Sequence, residues 1–499
     1  MAAALCGLAS YPLNKEENIM SQASNRSYMR YIHTLIMFIL MFGIGMLPAF
    51  GQITPLGMKI LGVFVGTLYG WLFIDLLWPS LIGLVGLGMT GYTTVSAAFS
   101  EALSSAVGIQ VIVTCIFAGA LSKIGAVDVI NNWILTRKSL QKNPWLLVIT
   151  IFMTVIIGTI LGAGIALVFM LWTMILKAAE KCGYAKNDPL IAFLMVTTVI
   201  MCFTASHTIP FRGGALLYLS FFIPTAGPID YVPFVIFALT YLLLLLIGMI
   251  LVAKYIMKID VSRFALQNDD IEALRAITPT RPQLVGCWVM VAFFAVMFLP
   301  AFLPKTWALT STISSLGLIG VTTIALMLLA LTRDENGHTL LKLSDCHASI
   351  PWDIVWLICA TMPIANAMES QESGLMTTIV TTFSPIFASM PPTVFMIMVM
   401  IILGTLTQFT HNLVLGALFI PFLTKLCMEM NGSPYTLFMM LMFTLNCAYV
   451  TPAASMQSAL IHGHEAVGRK SAYTWGIITL LLSWIILTVV GIPLGNLLW

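Results

Sequence analysis

The sequence predicts an all-α, polytopic membrane protein of about 11 transmembrane helices plus two re-entrant hairpins, arranged as an inverted repeat. Three observations lead there: an extremely apolar composition, recurrent apolar runs of spanning length, and two longer runs interrupted near their middles. Of the 499 residues, 59% are hydrophobic and 9% charged, with a mean hydropathy of +0.98. A soluble domain carries about 25% charged residues. A chain this apolar cannot cover its own surface with polar groups, so lipid is the expected solvent for much of it.

A spanning helix takes about 20 apolar residues. Residues 1–30 are polar and read as a cytoplasmic N-terminal segment, with no cleavable signal pattern. Spans are expected near 31–50, 56–75, 76–92, 106–126, 189–222, 232–257, 284–304, 312–331, 351–368, 435–460 and 472–498. The runs 145–178 and 393–428 are each too long for one crossing. Gly158, Gly162 and Gly164 break the first; Gly404, Gln408, His411 and Asn412 break the second. Two short helices meeting at a tip fit that pattern, because irregular backbone at membrane depth needs protein or a water-filled cavity around it.

With the N-terminus inside, 19 of the 23 Lys and Arg fall on cytoplasmic segments, as the positive-inside rule requires. The C-terminus is then outside. Segment 127–144, before the first hairpin, carries three basic residues, whereas 369–392, before the second, carries none. The hairpins are therefore expected to enter from opposite faces. Element order recurs on the two sides of a cytoplasmic linker at 258–283, giving repeats 56–257 and 284–499, with 31–55 as an extra first helix. Inverted repeats with broken helices are the architecture of many secondary transporters, whose sites lie where half-helix ends and unwound backbone converge.

Polar groups in apolar runs are costly unless they find partners or line a site. The second tip holds Thr410, His411 and Asn412. The span after it breaks around Thr451, Pro452, Ala453 and Ser455, and its mate in the first half around Ser206, His207, Thr208, Pro210 and Arg212. Proline removes a helix donor and glycine relaxes the backbone; freed carbonyls suit a cation and freed N–H groups an anion. A simple kink or inter-helix hydrogen bonding is the plainer account of each residue alone. Arg212 cannot shed its proton, so it needs an anionic or carbonyl partner, and no acid stands in the matching region of either half. Substrate charge, or the place of a coupling cation, is its expected partner; snorkelling at a helix end is the alternative. The first tip contributes Gly162 and Gly164.

Other features point to little. The nine cysteines form no CxxC pair. His462-Gly463-His464-Glu465 reads as a solvated turn, and Gly463 to Ser471 only approximates a phosphate-binding loop. No catalytic motif is visible, so an enzyme is not expected. Nothing points to nucleic acid, and the net charge of +3 is uninformative by itself.

Thr410-His411-Asn412-Leu413, with Pro421 nine residues after Asn412, resembles the Ser-Asn-Thr hairpin motif of the ion transporter superfamily, in particular divalent anion/sodium symporters. Thr451-Pro452-Ala453 resembles the family's later helix break, and Trp352 to Ser373 the segment before its second hairpin. The resemblance implies an elevator-type carrier, homodimeric, for a small anion such as a dicarboxylate, with Asn412 and Thr451 as possible sodium ligands and no other cofactor. The first tip has Gly162-Ala163-Gly164 where the family has Ser-Asn-Thr, and the second has His411 for Ser and Leu413 for Thr. Exchange or uniport, with Arg212 in place of sodium, is one consequence. A cation/proton antiporter on the same scaffold is the alternative function.

Overall fold

A computed structural model describes residues 29–104, 106–126, 129, 143–161, 164–185, 188–211, 213–264, 278–304, 306–333, 337, 339, 341–342, 350–375, 377–378, 381–382, 390–452 and 454–499. Among them the chain is helical, apart from one isolated bridge between Arg333 and Thr339. Among the described residues eight helices are long and apolar enough to cross a membrane, and five shorter ones are also apolar. This is a multi-pass membrane protein. Its contacts divide it into two compact units, one of residues up to Ala102 with 360–379, the other of 103–359 with 380–499.

The first unit holds α1 (Met29–Met46), α2 (Pro55–Phe73) and α3 (Leu77–Met89). Thr54 caps α2, its hydroxyl accepting from Gly57 N, and Pro55 follows at the first helical position, where its missing N–H costs nothing. Gly62, Gly66 and Gly70 recur every fourth residue and so share one face of α2. A Cβ on Gly62 would lie 2.5 Å from Met41 O, and one on Gly66 2.6 Å from Met41 Cβ. One on Gly70 would meet Pro79 of α3 at 2.6 Å and Met37 at 2.8 Å. Small residues let membrane helices approach backbone to backbone, and here they seat α1 in a trench along α2. The loop at 370–374 closes on the start of α2: Thr54 N donates to Ser373 O at 3.0 Å and the Thr54 hydroxyl to Glu372 O at 2.6 Å.

Helices α4 (Val95–Leu103), α5 (Ala106–Ile124), α6 (Pro144–Leu161), α7 (Gly164–Lys181), α8 (Pro189–Ala205), α9 (Gly213–Ala226) and α10 (Tyr231–Leu251) follow. Then come α11 (Arg281–Phe302), α12 (Ala308–Leu331), α13 (Trp352–Glu369), α14 (Pro392–Leu406), α15 (Asn412–Glu429), α16 (Pro434–Asn446), α17 (Met456–Gly463), α18 (Arg469–Ile486) and α19 (Ile492–Leu498). Both long runs are broken as the sequence suggested, between α6 and α7 and between α14 and α15. Both following spans are broken too, between α8 and α9 and between α16 and α17. The last span of each series carries a π-helical turn, Val252–Ile256 after α10 and Leu487–Gly491 between α18 and α19. The order of whole, broken and π-containing helices therefore recurs.

In the second unit α8 and α16 form the core. Nearly every residue from Leu190 to Ala205 is buried, as is every residue from Thr436 to Asn446. A helix apolar on all sides belongs inside. Helices α6 and α7 pack on α8, α14 and α15 pack on α16, and α9 packs on α15. Beyond α7, the Tyr184 hydroxyl donates to Asp260 O at 3.3 Å and the Arg263 guanidinium lies 4.9 Å over its ring. Burial and the neighbouring Asp260 carboxylate raise the Tyr184 phenol above its ordinary range, against a lowering by Arg263, so it keeps its proton at neutral pH. The same linker segment places Lys254 5.9 Å over the Trp145 ring at the start of α6.

Candidate functional site

The first break has a fixed local cause. Ser206, His207 and Thr208 N–H groups donate to Cys202, Thr204 and Ala205 carbonyls, all at 3.1 Å, which tightens the end of α8. Side chains add to it: the Ser206 hydroxyl donates to Phe203 O at 2.7 Å and the Thr208 hydroxyl to Ala205 O at 2.7 Å. Residues 207–211 are buried. Helix α9 then restarts at Gly213 with φ +57°, where an added Cβ would lie 2.7 Å from Ser206 O. Only glycine takes that conformation at that distance without strain.

His207 lies under the break. Its Nδ1 is 2.7 Å from Phe203 O, and since a carbonyl only accepts, Nδ1 carries the proton. The ring packs at 5.6 Å from the tilted ring of Tyr218 and against Gly214, where there is no room for a Cβ beside Nε2. Tyr218 in turn fills the space over Gly416 of α15, where a Cβ would meet its ring at 2.6 Å. His207 is thus a packed structural element that ties the first break to the second broken pair. It does not line the cavity beside it, and neither does Thr208.

That cavity, of about 240 Å³, is formed by α5, the ends of α6 and α7, the break itself and Pro351. Gly164 and Ser206, two of the residues singled out from the sequence, line it together, and Gly213 joins them. Gly164 opens α7 with φ +53° and has nothing within 4 Å of a Cβ position. The first residues of two helices, α7 and α9, therefore face one volume. Each helix N-terminus carries about half a positive charge and unsatisfied N–H donors that favour an anion, set against the partial negative charge of the α6 and α8 C-termini, whose Thr159 and Ser206 line the same cavity.

The cavity walls add three hydroxyls, of Thr114, Thr159 and Ser206. Thr159 donates to Cys202 Sγ at 3.4 Å and Ser206 is committed to Phe203. The Thr114 hydroxyl is buried and makes no hydrogen bond within the protein. A buried hydroxyl without a partner costs about 1–3 kcal/mol, so Thr114 stands ready for a ligand acceptor or a water. The remaining wall is apolar, including Val111, Ala118, Leu216 and Leu217. Drug-sized ligands occupy roughly 300–1,000 Å³; this cavity suits something smaller.

The second break is organised differently. The Thr410 hydroxyl donates to Leu406 O at 3.0 Å. His411 caps the start of α15 with its backbone, and Asn412 Oδ1 accepts from Leu413 N at 2.9 Å. Thr451 donates its hydroxyl to Gln408 O, and the Ser455 hydroxyl donates to Ala448 O at 2.6 Å. Pro452 is exposed on the turn between α16 and α17. Thr410 and Thr451 thus converge on the backbone of one tip, 406–408. Gly162, Arg212 and Ala453 lie outside the described residues.

Sequence reasoning missed Thr114 and Pro351. A threonine within an apolar helix usually bonds a carbonyl one turn back, as Thr150 and Thr154 do at 2.7 and 2.8 Å; only the fold distinguishes Thr114 from these.

No family model matches the chain. A 205-residue stretch, 40% of this chain, is 24% identical to the sodium-dependent dicarboxylate transporter SdcS of Staphylococcus saprophyticus. The match covers 39% of that relative's length. The solved structure of the YdaH transporter of Alcanivorax borkumensis aligns with 83% of this chain and 89% of its own, with a TM-score of 0.54 and 13% identity, a likeness of fold. The chain is therefore similar in sequence to a sodium-dependent dicarboxylate transporter and in fold to a solved transporter, in line with the symporter resemblance read from its hairpin and helix-break residues.

Proposed function

We propose that this protein is a secondary transporter that carries a small organic anion, of the dicarboxylate kind, across the cytoplasmic membrane by ion symport or exchange. One observation carries the reading: two helix N-termini, at Gly164 and Gly213, open onto a small cavity that also presents the unpartnered Thr114 hydroxyl. A carboxylate needs N–H and O–H donors in place of its hydration shell, and the cavity offers both kinds beside an apolar wall for a short carbon chain. Similarity to SdcS, a sodium-dependent dicarboxylate transporter, supports the substrate class. The recurring helix order supports an inverted repeat with hairpins at α6–α7 and α14–α15; the resemblance to divalent anion/sodium symporters adds an elevator-type movement of a homodimer, and the distribution of basic residues favours an N-terminus inside and a C-terminus outside.

The test is uptake into proteoliposomes over a panel of mono- and dicarboxylates, with sodium and proton gradients imposed separately. Saturable uptake with counterflow of a labelled dicarboxylate is the expected result. Unsaturable flux without counterflow would replace the carrier with a channel. Cation flux driven by a pH gradient without any anion would establish the alternative, a cation/proton antiporter, instead.

A further inference from the structure

Each break joins two helix C-termini to two helix N-termini. At the first, the N-termini of α7 and α9 open on the cavity. At the second, the C-termini of α14 and α16 meet, since α14 ends at Leu406 and α16 at Asn446. Helix C-termini carry partial negative charge and orphan carbonyls, and unwound carbonyls at such a place are what coordinates a cation in broken-helix transporters. Here the carbonyls are occupied. Gln408 is buried, and its Nε2 donates to Gly404 O at 2.8 Å and to Cys447 O at 2.9 Å. Its Oε1 accepts from Val450 N at 3.0 Å. Two carbonyls on one side and an N–H on the other fix which way the amide points. Thr407 donates to Leu445 O at 3.1 Å, and Thr451 to Gln408 O. Farther along the break, Ser458 donates to Tyr449 O at 3.2 Å and to Thr451 O at 2.6 Å.

We propose that the Gln408 carboxamide is a tethered, neutral substitute for a cation: it satisfies the carbonyls of the second break, pins the α14–α15 tip to α16, and leaves no sodium site there. Any cation that couples to transport acts elsewhere. This rests on the transporter reading for its significance, but not for its test. Gln408 is a positioning residue, because it contacts neither the cavity wall nor any part of Thr114.

Replacing the amide by a carboxylate turns the argument into an experiment. Gln408→Glu removes both donated protons and puts a negative oxygen against two carbonyls, an oxygen cage that a small cation would fill. Gln408→Ala vacates the same carbonyls without adding charge. The wild type and both variants are purified and melted in sodium chloride, potassium chloride and choline chloride at equal ionic strength. Sodium is expected to raise the Tm of Gln408→Glu over its value in choline by at least about 2 °C more than in the wild type, through binding to the folded state alone. A smaller shift of the same sign is expected for Gln408→Ala, and potassium is expected to do less than sodium. A Gln408→Glu protein that survives purification only in sodium supports the proposal equally. Sodium responses of both variants that match the wild type overturn it, as does failure of Gln408→Glu in every salt with a sodium-indifferent Gln408→Ala. A merely structural glutamine would lower Tm in all three salts alike. Stabilisation of the wild type by a dicarboxylate, measured in choline chloride and in sodium chloride, reports on the transporter reading separately.

Discussion

Alanine at Gly213 tests whether the start of α9 is held where the cavity needs it. Two costs apply. The backbone there has φ +57°, and a non-glycine residue in left-handed conformation costs about 1–2 kcal/mol. The new Cβ would also lie 2.7 Å from the Ser206 carbonyl oxygen, so the turn must open by several tenths of an ångström, at a cost of order 1 kcal/mol. Reduced freedom of the unfolded chain returns about 0.4–1 kcal/mol. The net loss is roughly 1–3 kcal/mol. Gly164→Ala supplies the control: φ is +53°, but nothing lies within 4 Å of the added carbon, so only the conformational cost remains, about 0.5–1.5 kcal/mol net. The assay is thermal unfolding followed by tryptophan fluorescence at one fixed scan rate, since unfolding of large proteins is commonly irreversible. Gly213→Ala is expected to melt below Gly164→Ala, and Gly164→Ala, whose methyl enters the cavity, to lose more affinity for dicarboxylate per degree of Tm lost. If Gly213→Ala melts at or above Gly164→Ala, the close approach of Gly213 to Ser206 does not hold α9 in place and the argument fails.

Thr114→Val should leave stability unchanged or raise it by about 1 kcal/mol, because it removes an unsatisfied buried hydroxyl, while dicarboxylate affinity falls about five- to tenfold; calorimetric titration beside a melt separates the two. Gly66→Leu should drive α1 out of its trench on α2 at a cost of several kcal/mol, seen as loss of monodisperse protein on size exclusion. Gly374→Ala combines φ +65° with a Cβ 1.9 Å from Gln52 O, and should destabilise by more than about 2 kcal/mol in the same melt.

The long helices were legible because their apolar runs have only one solution in lipid. Breaks were legible as well: Gly164 and the Thr407–His411 stretch fall where small and polar residues interrupt those runs. Helix α4 was not, because Val95–Leu103 is short and carries Glu101, so it reads as a loop. At the site, Gly164 and Ser206 stood out by composition. Thr114 did not, since its peculiarity is a missing bond. Gln408 was visible as a polar residue in a greasy stretch, yet its partner Cys447 is set by how α14 and α16 end together.

The glycine trench of α2 has a consequence for how the chain is made. Without α1, that stretch would present bare backbone to lipid tails, a surface neither well packed by acyl chains nor suited to another partner. Helix α1 precedes α2 in the chain and leaves the ribosome before it, so α2 emerges to find its cover already in the bilayer. The N-terminal helix thus serves the biogenesis of the unit it belongs to, and a chain starting after residue 50 would be expected to reach the membrane and stall there as a substrate for quality-control proteolysis.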